Sequence, residues 1–547
     1  MRKQFINFSL LILGILLFSL PQPTFISVKG FPFLAYISYI PLFLLVNRVS
    51  WKTVWLWGLA YGAGVYNVFT YWLSSFHPLG MILITVLYGF QFMLLFPILK
   101  AVPLLFKKHG WLVQWLVWCA YEYIKTLGFA GFNYGVTAYS QWRYIVIIQC
   151  VEIIGIWGLN AIITFPSAWI SKVLEDTFVT SDSNISVCKS RLFKQANKHI
   201  ISGVIWGCIF ICIIVYGIIS PKDYSQNKKC TVALLQTNTD PWKGGTNHYE
   251  KDLNSLIKNS DLALKENTNI DFVVWPETAF VPKIQWHYKY REDENRYQLV
   301  LKLLNYIDSK EVPFILGNDD GVLAHRRDGS YNSVDYNAVL LFNPNENVIP
   351  PEPEKYHKVK LVPFTEYFPY EKIFPKIYKA LLNGDTHMWR PGAGQTTLNA
   401  AGVTFGTPIC FEDTFGYIGR NFVNNGAQAF VNLSNDAWSN SLACQYQHLS
   451  MAVFRCVENR VPAVRSTASG QTAIINPNGK ITKMLEPFKA GYLVGDFPVV
   501  DISKKTLYTR YGDWTGKLFI IISGVLILLG LILTILKAKQ NLKKKVK

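Results

Sequence analysis

Eight apolar segments dominate this chain of 547 residues. Because about 20 apolar residues in an α-helix cross the hydrocarbon core of a bilayer, each has roughly the length of a transmembrane helix. The first segment follows Arg2 and Lys3 as a signal peptide would, but it lacks a small-residue cleavage site and runs into the second. The sequence therefore predicts eight retained transmembrane helices, near residues 5–21, 25–46, 53–74, 79–99, 111–128, 144–171, 200–219 and 517–536.

Positive charge collects in alternate loops between these segments. Lys and Arg in short loops mark the cytoplasmic side of a membrane protein. The exceptions are Lys29, Lys125 and Arg143. The pattern predicts that both termini are cytoplasmic, and a net charge of +18 placed in this way argues against a nucleic-acid partner. The basic residues assigned to the cytoplasm are Arg2, Lys3, Arg48, Lys52, Lys100, Lys107, Lys108, Lys172, Lys189, Arg191, Lys194, Lys198, Lys537, Lys539, Lys543, Lys544, Lys545 and Lys547.

The segment between the seventh and eighth helices is predicted to be an outer α/β domain. We expect a domain organisation of residues 1–219, 220–515 and 516–547. Strand-like runs alternate with helical stretches at 247–266 and 293–308, which indicates a sheet covered by helices. The cysteines of this domain are not spaced as a disulfide framework or a zinc site, so neither metal nor cofactor is expected. The predicted strands are 230–236, 271–275, 313–317, 337–342, 403–410 and 427–433, followed by a hairpin that turns at 477–479.

An acid, a lysine and a cysteine follow apolar runs in this outer domain. Glu277 ends the run that begins at Asp271, Lys358 lies in Tyr-His-Lys, and Cys410 lies in Pro-Ile-Cys-Phe-Glu. Ligand sites in α/β folds gather where strands end. A thiol attacks as thiolate, so it needs a base such as Glu277, and Lys358 could stabilise the oxyanion that forms. Taken singly, Cys410 could belong to the core, Glu277 could cap a helix, and Lys358 could be a solvated charge.

Taken together, these motifs resemble the Glu-Lys-Cys triad of the nitrilase superfamily and, within it, the bacterial apolipoprotein N-acyltransferase family. That family is similar in its eight membrane helices and in a nitrilase-like domain between the last two. The resemblance covers nearly the whole chain. Its motifs are Trp-Pro-Glu277-Thr, Tyr-His-Lys358, Leu-Val-Pro-Phe, Pro-Ile-Cys410-Phe-Glu412, Tyr336-Asn337-Ala338, Pro363–Pro369, Ser434–Trp438 and Gln447-His448.

The resemblance implies a mixed α+β and α/β membrane protein, an eight-helix bundle carrying an αββα sandwich. A phospholipid would acylate Cys410 as a thioester, with Glu277 as general base and Lys358 at the oxyanion. The α-amine of a diacylglyceryl-cysteine apolipoprotein would then accept the chain. Glu366, Glu412 and Asn337 would support the triad, and Trp438 would line the site. The location implied is the bacterial inner membrane, with the catalytic domain on the outer side.

Four short stretches depart from the family pattern. The triad is intact, so the departures concern substrate preference rather than chemistry. They are Thr365 for Gly, Phe411 for Tyr, Ser439-Asn440 for Phe-Gly, and Ala468-Ser469-Gly470 for Asn-Asn-Gly.

Three alternatives stay open on sequence alone. A membrane-anchored amidase or nitrilase would use the same triad with water as acceptor, although one helix would suffice to anchor it. A transporter or receptor would be favoured by ionisable residues inside the helices, for which Glu122 and Glu152 are candidates. The amphipathic stretch 373–382 is either a lid or membrane-dipping arm, or ordinary packing on the domain.

Overall fold

The computed structural model describes residues 2–76, 78–106, 108–178, 185–239, 244–325, 330–382 and 388–546, so Lys107 and Lys547 of the predicted charge pattern lie outside the described residues. The described chain forms two compact units. One comprises the residues up to Ser220 together with those from Asp513 onward, and the other spans Pro221–Gly512.

The first unit is helical. Among the described residues, four helices are long and apolar enough to cross a membrane, and they fall on the predicted segments 79–99, 144–171, 200–219 and 517–536. The helices of this unit are α1 (Arg2–Ser19), α2 (Ile40–Arg48), α3 (Val54–Phe69), α4 (Leu73–Phe76), α5 (Pro78–Leu105), α6 (Gly110–Ile124), α7 (Ile145–Ile148), α8 (Val151–Phe178), α9 (Ile185–Lys198), α10 (Ile200–Ile219) and the C-terminal helix Trp514–Val546.

Three predicted segments are not continuous helices. Segment 53–74 is divided between α3, which ends at Phe69, and α4, which begins at Leu73. Segment 25–46 begins without helix, forms a 3₁₀ turn at Pro32–Tyr36 and only then becomes α2. Segment 144–171 is split between α7 and α8, and α8 is interrupted by Gly155, whose φ is +62°. A left-handed residue cannot continue the helical hydrogen-bond ladder, and glycine adopts that conformation readily.

Three ionisable residues within the helical unit, Glu122, Lys125 and Glu152, have protein partners. Glu122 is fully buried and forms an ion pair with Lys125, Nζ to Oε1, at 2.7 Å. Lys125 also donates to the Tyr66 hydroxyl at 3.2 Å. Glu152 accepts a hydrogen bond from Tyr216. Lys125 departs from the predicted charge pattern because it neutralises a buried carboxylate.

The second unit contains two six-stranded sheets. In spatial order the first sheet is β12-β1-β2-β3-β4-β5 and the second is β11-β10-β9-β8-β7-β6. The strands are β1 (Lys229–Gln236), β2 (Phe272–Val274), β3 (Phe314–His325), β4 (Tyr331–Phe342), β5 (Glu354–His357), β6 (Leu398–Ala400), β7 (Val403–Gly406), β8 (Ala429–Ser434), β9 (Ala463–Thr467), β10 (Ala473–Ile475), β11 (Ile481–Met484) and β12 (Gly491–Pro498).

Alternating side chains separate the two faces of the first sheet, because successive strand residues point to opposite sides. Ala233 and Val273 belong to a buried cluster with Leu253 and Leu303 of the covering helices. On the other face Phe272 stacks against Phe405 of the second sheet, with ring centroids 5.7 Å apart. The helices of this unit are α11 (Thr246–Glu266), α12 (Ile284–Tyr290), α13 (Glu294–Asp308), α14 (Pro375–Leu382), α15 (Gly416–Asn424), α16 (Leu442–Asn459) and α17 (Leu507–Tyr511).

Helix α15 packs on the outer face of the second sheet. A Cβ at Gly406 would lie 2.4 Å from the ring of Phe422, so this strand and helix are in direct contact. The unit therefore has the helix, sheet, sheet, helix order that the resemblance implied. The predicted strand 403–410 ends earlier, at Gly406, because Pro408 has no N–H to donate to a strand ladder.

Candidate active site

The three predicted catalytic residues follow strands of the two sheets. Glu277 lies three residues beyond β2, Lys358 directly follows β5, and Cys410 opens the 3₁₀ turn Cys410–Thr414 after β7. Glu277 and Lys358 thus come from the first sheet, and Cys410 from the second. Gly317 of β3 leaves room for the first of these turns, since a Cβ there would lie 2.6 Å from the Cα of Glu277.

Cys410 occupies a strained turn. Its φ is +50°, in the left-handed region that non-glycine residues rarely adopt. Such a conformation costs on the order of 1–3 kcal/mol and persists only where the surroundings fix it. The preceding residue, Ile409, forms a parallel bridge with Leu433 of β8, which anchors the turn to the sheet.

Glu277 is buried and oriented from three directions. Its Oε1 accepts a hydrogen bond from Asn337 Nδ2 at 2.8 Å and lies 3.3 Å from Lys358 Nζ. Its Oε2 accepts from the backbone N–H of Asn435 at 2.9 Å. Asn337 also accepts the backbone N–H of Lys358 through its carbonyl, at 2.9 Å. One residue of β4 therefore orients both Glu277 and Lys358.

Lys358 is fully buried between two carboxylates. Besides Glu277, its Nζ donates to Glu366 Oε1 at 2.9 Å, and Glu366 Oε2 accepts the backbone N–H of Val362 at 2.9 Å. Burial lowers the pKa of Lys358, but the charges of Glu277 and Glu366 more than offset it, and the net pKa is raised. Lys358 is therefore an ammonium ion at neutral pH.

Cys410 is a thiol at neutral pH. Burial, together with the charge of Glu277, raises the pKa of Cys410 well above its ordinary value, and Lys358 only partly opposes this. A thiolate would thus form when a proton acceptor takes the proton during attack on a carbonyl. This arrangement is chemically suited to thiol-based acyl transfer, which requires a proton acceptor, a positive charge and a nucleophile.

Glu412 joins the cysteine turn to the lysine loop. Its Oε2 accepts the backbone N–H of Ile409 at 2.9 Å, and its Oε1 accepts those of Val359 at 2.7 Å and Lys360 at 2.9 Å. The Tyr356 hydroxyl donates to both oxygens, at 2.9 and 3.0 Å. Burial raises the pKa of Glu412 to about 7, although these backbone donors and Lys358 act to lower it.

Six of the seven predicted site residues are brought together in this way. The seventh, Trp438, lies in the 3₁₀ turn Ala437–Ser439, three residues beyond the Asn435 amide that holds Glu277. Asn435, Tyr356 and His448 lie within the sequence motifs, but no role was predicted for them. Asn435 acts through its backbone N–H, which any residue could supply, so its role leaves no signal in the sequence. Tyr356 acts through its side chain and lies in the same motif as Lys358, so its role was detectable.

Two family models match this chain, one within each of the two units. The carbon-nitrogen hydrolase family model matches residues 231–505, and the apolipoprotein N-acyltransferase N-terminal domain model matches residues 14–169. The chain is 43% identical over 544 residues to apolipoprotein N-acyltransferase 1 of Treponema pallidum, covering 99% of this chain and 98% of that one. It is 42% identical over 533 residues to apolipoprotein N-acyltransferase 1 of Treponema denticola, covering 95% and 96%. An amidase of the nitrilase superfamily from Nesterenkonia superposes with a TM-score of 0.35 at 15% identity, covering 51% of this chain and 93% of that one.

The second unit is a carbon-nitrogen hydrolase domain of the nitrilase superfamily. The apolar helices of the first unit that are long enough to cross a bilayer indicate a membrane protein. The chain belongs to the apolipoprotein N-acyltransferase family. It is an acyltransferase that acts in the N-acylation of lipoproteins.

Proposed function

We propose that the acyl group travels from a membrane phospholipid to the lipoprotein through a thioester on Cys410. In the first step the Cys410 proton passes to Glu277 while Sγ bonds to the ester carbonyl carbon. The carbon–oxygen ester bond then breaks, and Glu277 returns the proton to the departing lysophospholipid oxygen. Cys410 keeps the acyl chain.

In the second step the free α-amine of a diacylglyceryl-cysteine apolipoprotein attacks the thioester. The new carbon–nitrogen bond replaces the carbon–sulfur bond, and the amine loses a proton to Glu277. That proton returns to Cys410, because the site favours its thiol form. The cycle needs no redox cofactor, since each bond made is matched by one broken and no atom changes its oxidation state.

The observation that supports this mechanism best is the Lys358 ammonium held between Glu277 and Glu366 at 3.3 and 2.9 Å. A buried positive charge beside Cys410 is suited to the negative charge that develops on a carbonyl oxygen under attack. Asn337 and Glu412 position the groups that react, and Trp438 lines the path of the acyl chain or lipoprotein.

Both substrates are lipids, and withdrawing acyl chains from a bilayer costs about 0.8 kcal/mol per CH₂ group. We therefore assign eight transmembrane helices to the family fold, including the shorter α1, α2, α3 and α6 with the four longer ones. By the charge pattern, both termini face the cytoplasm, residues 220–515 lie outside, and the bilayer is the bacterial inner membrane.

Helix α14 is the segment of the catalytic unit best suited to enter the membrane surface. None of its residues is buried. Ile377 within the helix is 48% exposed, and Ile373 and Phe374 directly before it are 67 and 49% exposed. Exposed apolar residues interspersed with Lys376 and Lys379 are typical of helices that lie at a lipid interface. We assign this segment as the membrane-dipping arm that admits lipid substrates.

The test is to incubate the purified full-length protein with vesicles of phospholipid carrying a labelled acyl chain. We expect one acyl mass on Cys410, released by hydroxylamine and absent from Cys410→Ser. Addition of a diacylglyceryl-cysteine peptide should move the label onto its amine. Absence of a thioester in the wild type would reject the mechanism, and release of free fatty acid in place of acylated peptide would favour the amidase-type hydrolase.

A further inference from the structure

His448 of α16 lies where the turn that carries Cys410 meets the loop that carries Asn435. It is buried, and its Nε2 lies 3.2 Å from the Cys410 carbonyl oxygen and 2.7 Å from Asp413 Oδ1. On the opposite side of the ring, Nδ1 lies 3.0 Å from Asp436 Oδ1. The imidazole therefore contacts two loops at once.

On the cysteine side, His448 holds the backbone of the strained residue itself. The Cys410 carbonyl accepts its hydrogen bond, and Asp413 belongs to the same turn, three residues further on. Asp413 in turn forms an ion pair with Arg465, which is fully buried on β9. The left-handed Cys410 is thus fixed through its own carbonyl and through its turn.

On the other side, Asp436 directly follows Asn435, whose N–H donates to Glu277 Oε2 at 2.9 Å. Asp436 is packed without spare room, because a Cβ at Gly470 would lie 2.5 Å from its Oδ2. Ser434 also donates to Asp436 Oδ1, at 3.3 Å. A displacement of Asp436 would therefore be transmitted to the donor that orients Glu277.

The contacts define the charge of His448. Each ring nitrogen faces a carboxylate, so each must carry a proton, because a lone pair in either position would face negative charge. Burial lowers the pKa of His448, but Asp436, the Cys410 carbonyl and Glu277 together raise it above its ordinary value. With Arg465, the imidazolium balances the charges of Asp413 and Asp436, so the buried cluster is neutral as a whole.

We propose that His448 is a positioning residue that sets the distance and orientation between the Cys410 nucleophile and the Glu277 base. This inference rests on the proposed function, in which Cys410 is acylated. His448 touches neither substrate nor the reacting atoms, and it acts through the backbone of Cys410 and through the Asp436–Asn435 loop.

Two substitutions test the contacts on the two sides of the His448 ring separately. His448→Gln keeps a donor near the position of Nε2, which holds the cysteine turn, and His448→Asn keeps one near Nδ1, which holds Asp436. The measurement is the first-order rate of Cys410 thioester formation in the full-length protein with saturating labelled phospholipid vesicles. Ser450→Ala is the matched control, because Ser450 is a buried residue of the same helix whose hydroxyl donates within that helix, to the Gln447 carbonyl at 2.6 Å.

We expect His448→Asn to slow thioester formation on the order of 10²-fold, since misplacement by about 1 Å has that effect on reacting groups. His448→Gln should retain more of the rate than His448→Asn, the apparent KM for phospholipid should be unchanged, and Ser450→Ala should match the wild type. Equal rates in the Gln and Asn variants, or a loss explained by KM, would overturn the inference. If the wild type forms no thioester, the proposed function and the inference both fail. If the wild type forms the thioester but the two variants react at equal rates, the inference alone fails.

A measurement on the unmodified protein guards against variants that do not fold. With ¹⁵N-labelled histidine, one imidazole ring should keep both protons at pH 8, where an unperturbed histidine is neutral. If every histidine has lost a ring proton at pH 8, His448 is not the imidazolium that the two carboxylates require, and the inference is wrong.

Discussion

Lys358 Nζ lies 3.3 Å from Glu277 Oε1, and the lysine has no solvent exposure. A buried ion pair is costly to break from one side, because the partner is left charged without compensation. The lysine has a second carboxylate partner in Glu366 at 2.9 Å, so its loss would leave two buried acids facing each other. In the proposed mechanism, stability and chemistry therefore depend on the same ammonium group.

Replacement of Lys358 by Met removes this charge and nearly preserves side-chain length. We expect Cys410 thioester formation to fall by about 10²–10³-fold or more, the usual effect of losing an oxyanion donor. The free energy of unfolding should fall by about 3–5 kcal/mol, as for other broken buried pairs. Thioester mass and thermal unfolding of the purified protein measure the two effects.

Lys360→Met is the control for this substitution. Lys360 is in the same loop, but its Nζ lies over the Phe415 ring at 5.1 Å. Its contribution to Glu412 is made by the backbone, which the substitution keeps. Lys360→Met should acylate like the wild type. If it is as inactive as Lys358→Met, the loop as a whole rather than the ammonium group is required.

Glu277 and Glu366 both contact Lys358, yet we expect their substitutions to slow thioester formation to different extents. Glu277→Gln removes the proton acceptor and should slow thioester formation by about 10²–10⁴-fold, the range of general base catalysis. Glu366→Gln keeps an oxygen that can accept from Lys358 and should be slowed less. Single-turnover acylation with saturating vesicles measures both. A larger loss in Glu366→Gln than in Glu277→Gln would mean that the base has been assigned to the wrong acid.

Most elements of the catalytic unit were predictable from sequence because they are locally patterned. Helices predicted at 247–266 and 293–308 are found at Thr246–Glu266 and Glu294–Asp308, and the hairpin turning at 477–479 joins β10 to β11. Strands β5, β6, β9 and β12 were missed. Strand β12 pairs antiparallel with β1, more than 200 residues earlier in the chain, and no local pattern records such a partner.

The proximity of Glu277, Lys358, Asn337, Glu366 and Glu412 could be predicted from short motifs, but the contacts of Asn435 and His448 could not. Asn435 holds Glu277 through a backbone N–H that any residue could supply. The Cys410 carbonyl accepts a hydrogen bond from His448, which becomes its neighbour only when the domain has folded, so no local pattern records the left-handed φ of Cys410. In the membrane unit, the break at Gly155 was invisible because the flanking residues are uniformly apolar.

Glu412 gives the protein a predictable pH dependence of stability. Its pKa rises from an ordinary value of 4.5 to about 7 in the folded state. Between these values the folded protein retains a proton that the unfolded chain has released, so this contribution to stability is complete below pH 4.5 and is lost as pH rises to 7. The change is on the order of 3 kcal/mol. Thermal unfolding from pH 5 to pH 8 should fall more steeply in the wild type than in Glu412→Gln, and parallel curves would contradict the assignment.

The same group should affect activity in the opposite direction. Ionised Glu412 accepts three backbone N–H groups from the cysteine and lysine loops, whereas its protonated form gives up an acceptor position. Thioester formation in the wild type should therefore increase as pH rises through about 7. Stopped-flow or quench measurements at matched vesicle concentration test this, and a rate that falls over the same interval would exclude Glu412 as the titrating group.

Helix α14 offers the sharpest test of how lipid substrates are reached. Phe374→Asp, directly before the helix, with Ile377→Asp within it places two charges on exposed apolar residues, and loss of their burial in lipid should cost about 1.5–3 kcal/mol for each side chain. Acylation from phospholipid vesicles should fall roughly tenfold or more, since 1.4 kcal/mol corresponds to a factor of ten. Acylation of Cys410 by a water-soluble ester such as 4-nitrophenyl acetate should be unchanged, because it does not require the bilayer.

The control places the same charges on exposed apolar residues elsewhere in the catalytic unit. Leu323 and Tyr331, on β3 and β4, are 42 and 63% exposed, so Leu323→Asp with Tyr331→Asp matches the arm variant in charge and exposure. This control should acylate from vesicles like the wild type. Equal loss with both substrates in the arm variant would mean that α14 supports the folded site, and unchanged turnover from vesicles would mean that it does not enter the membrane at all.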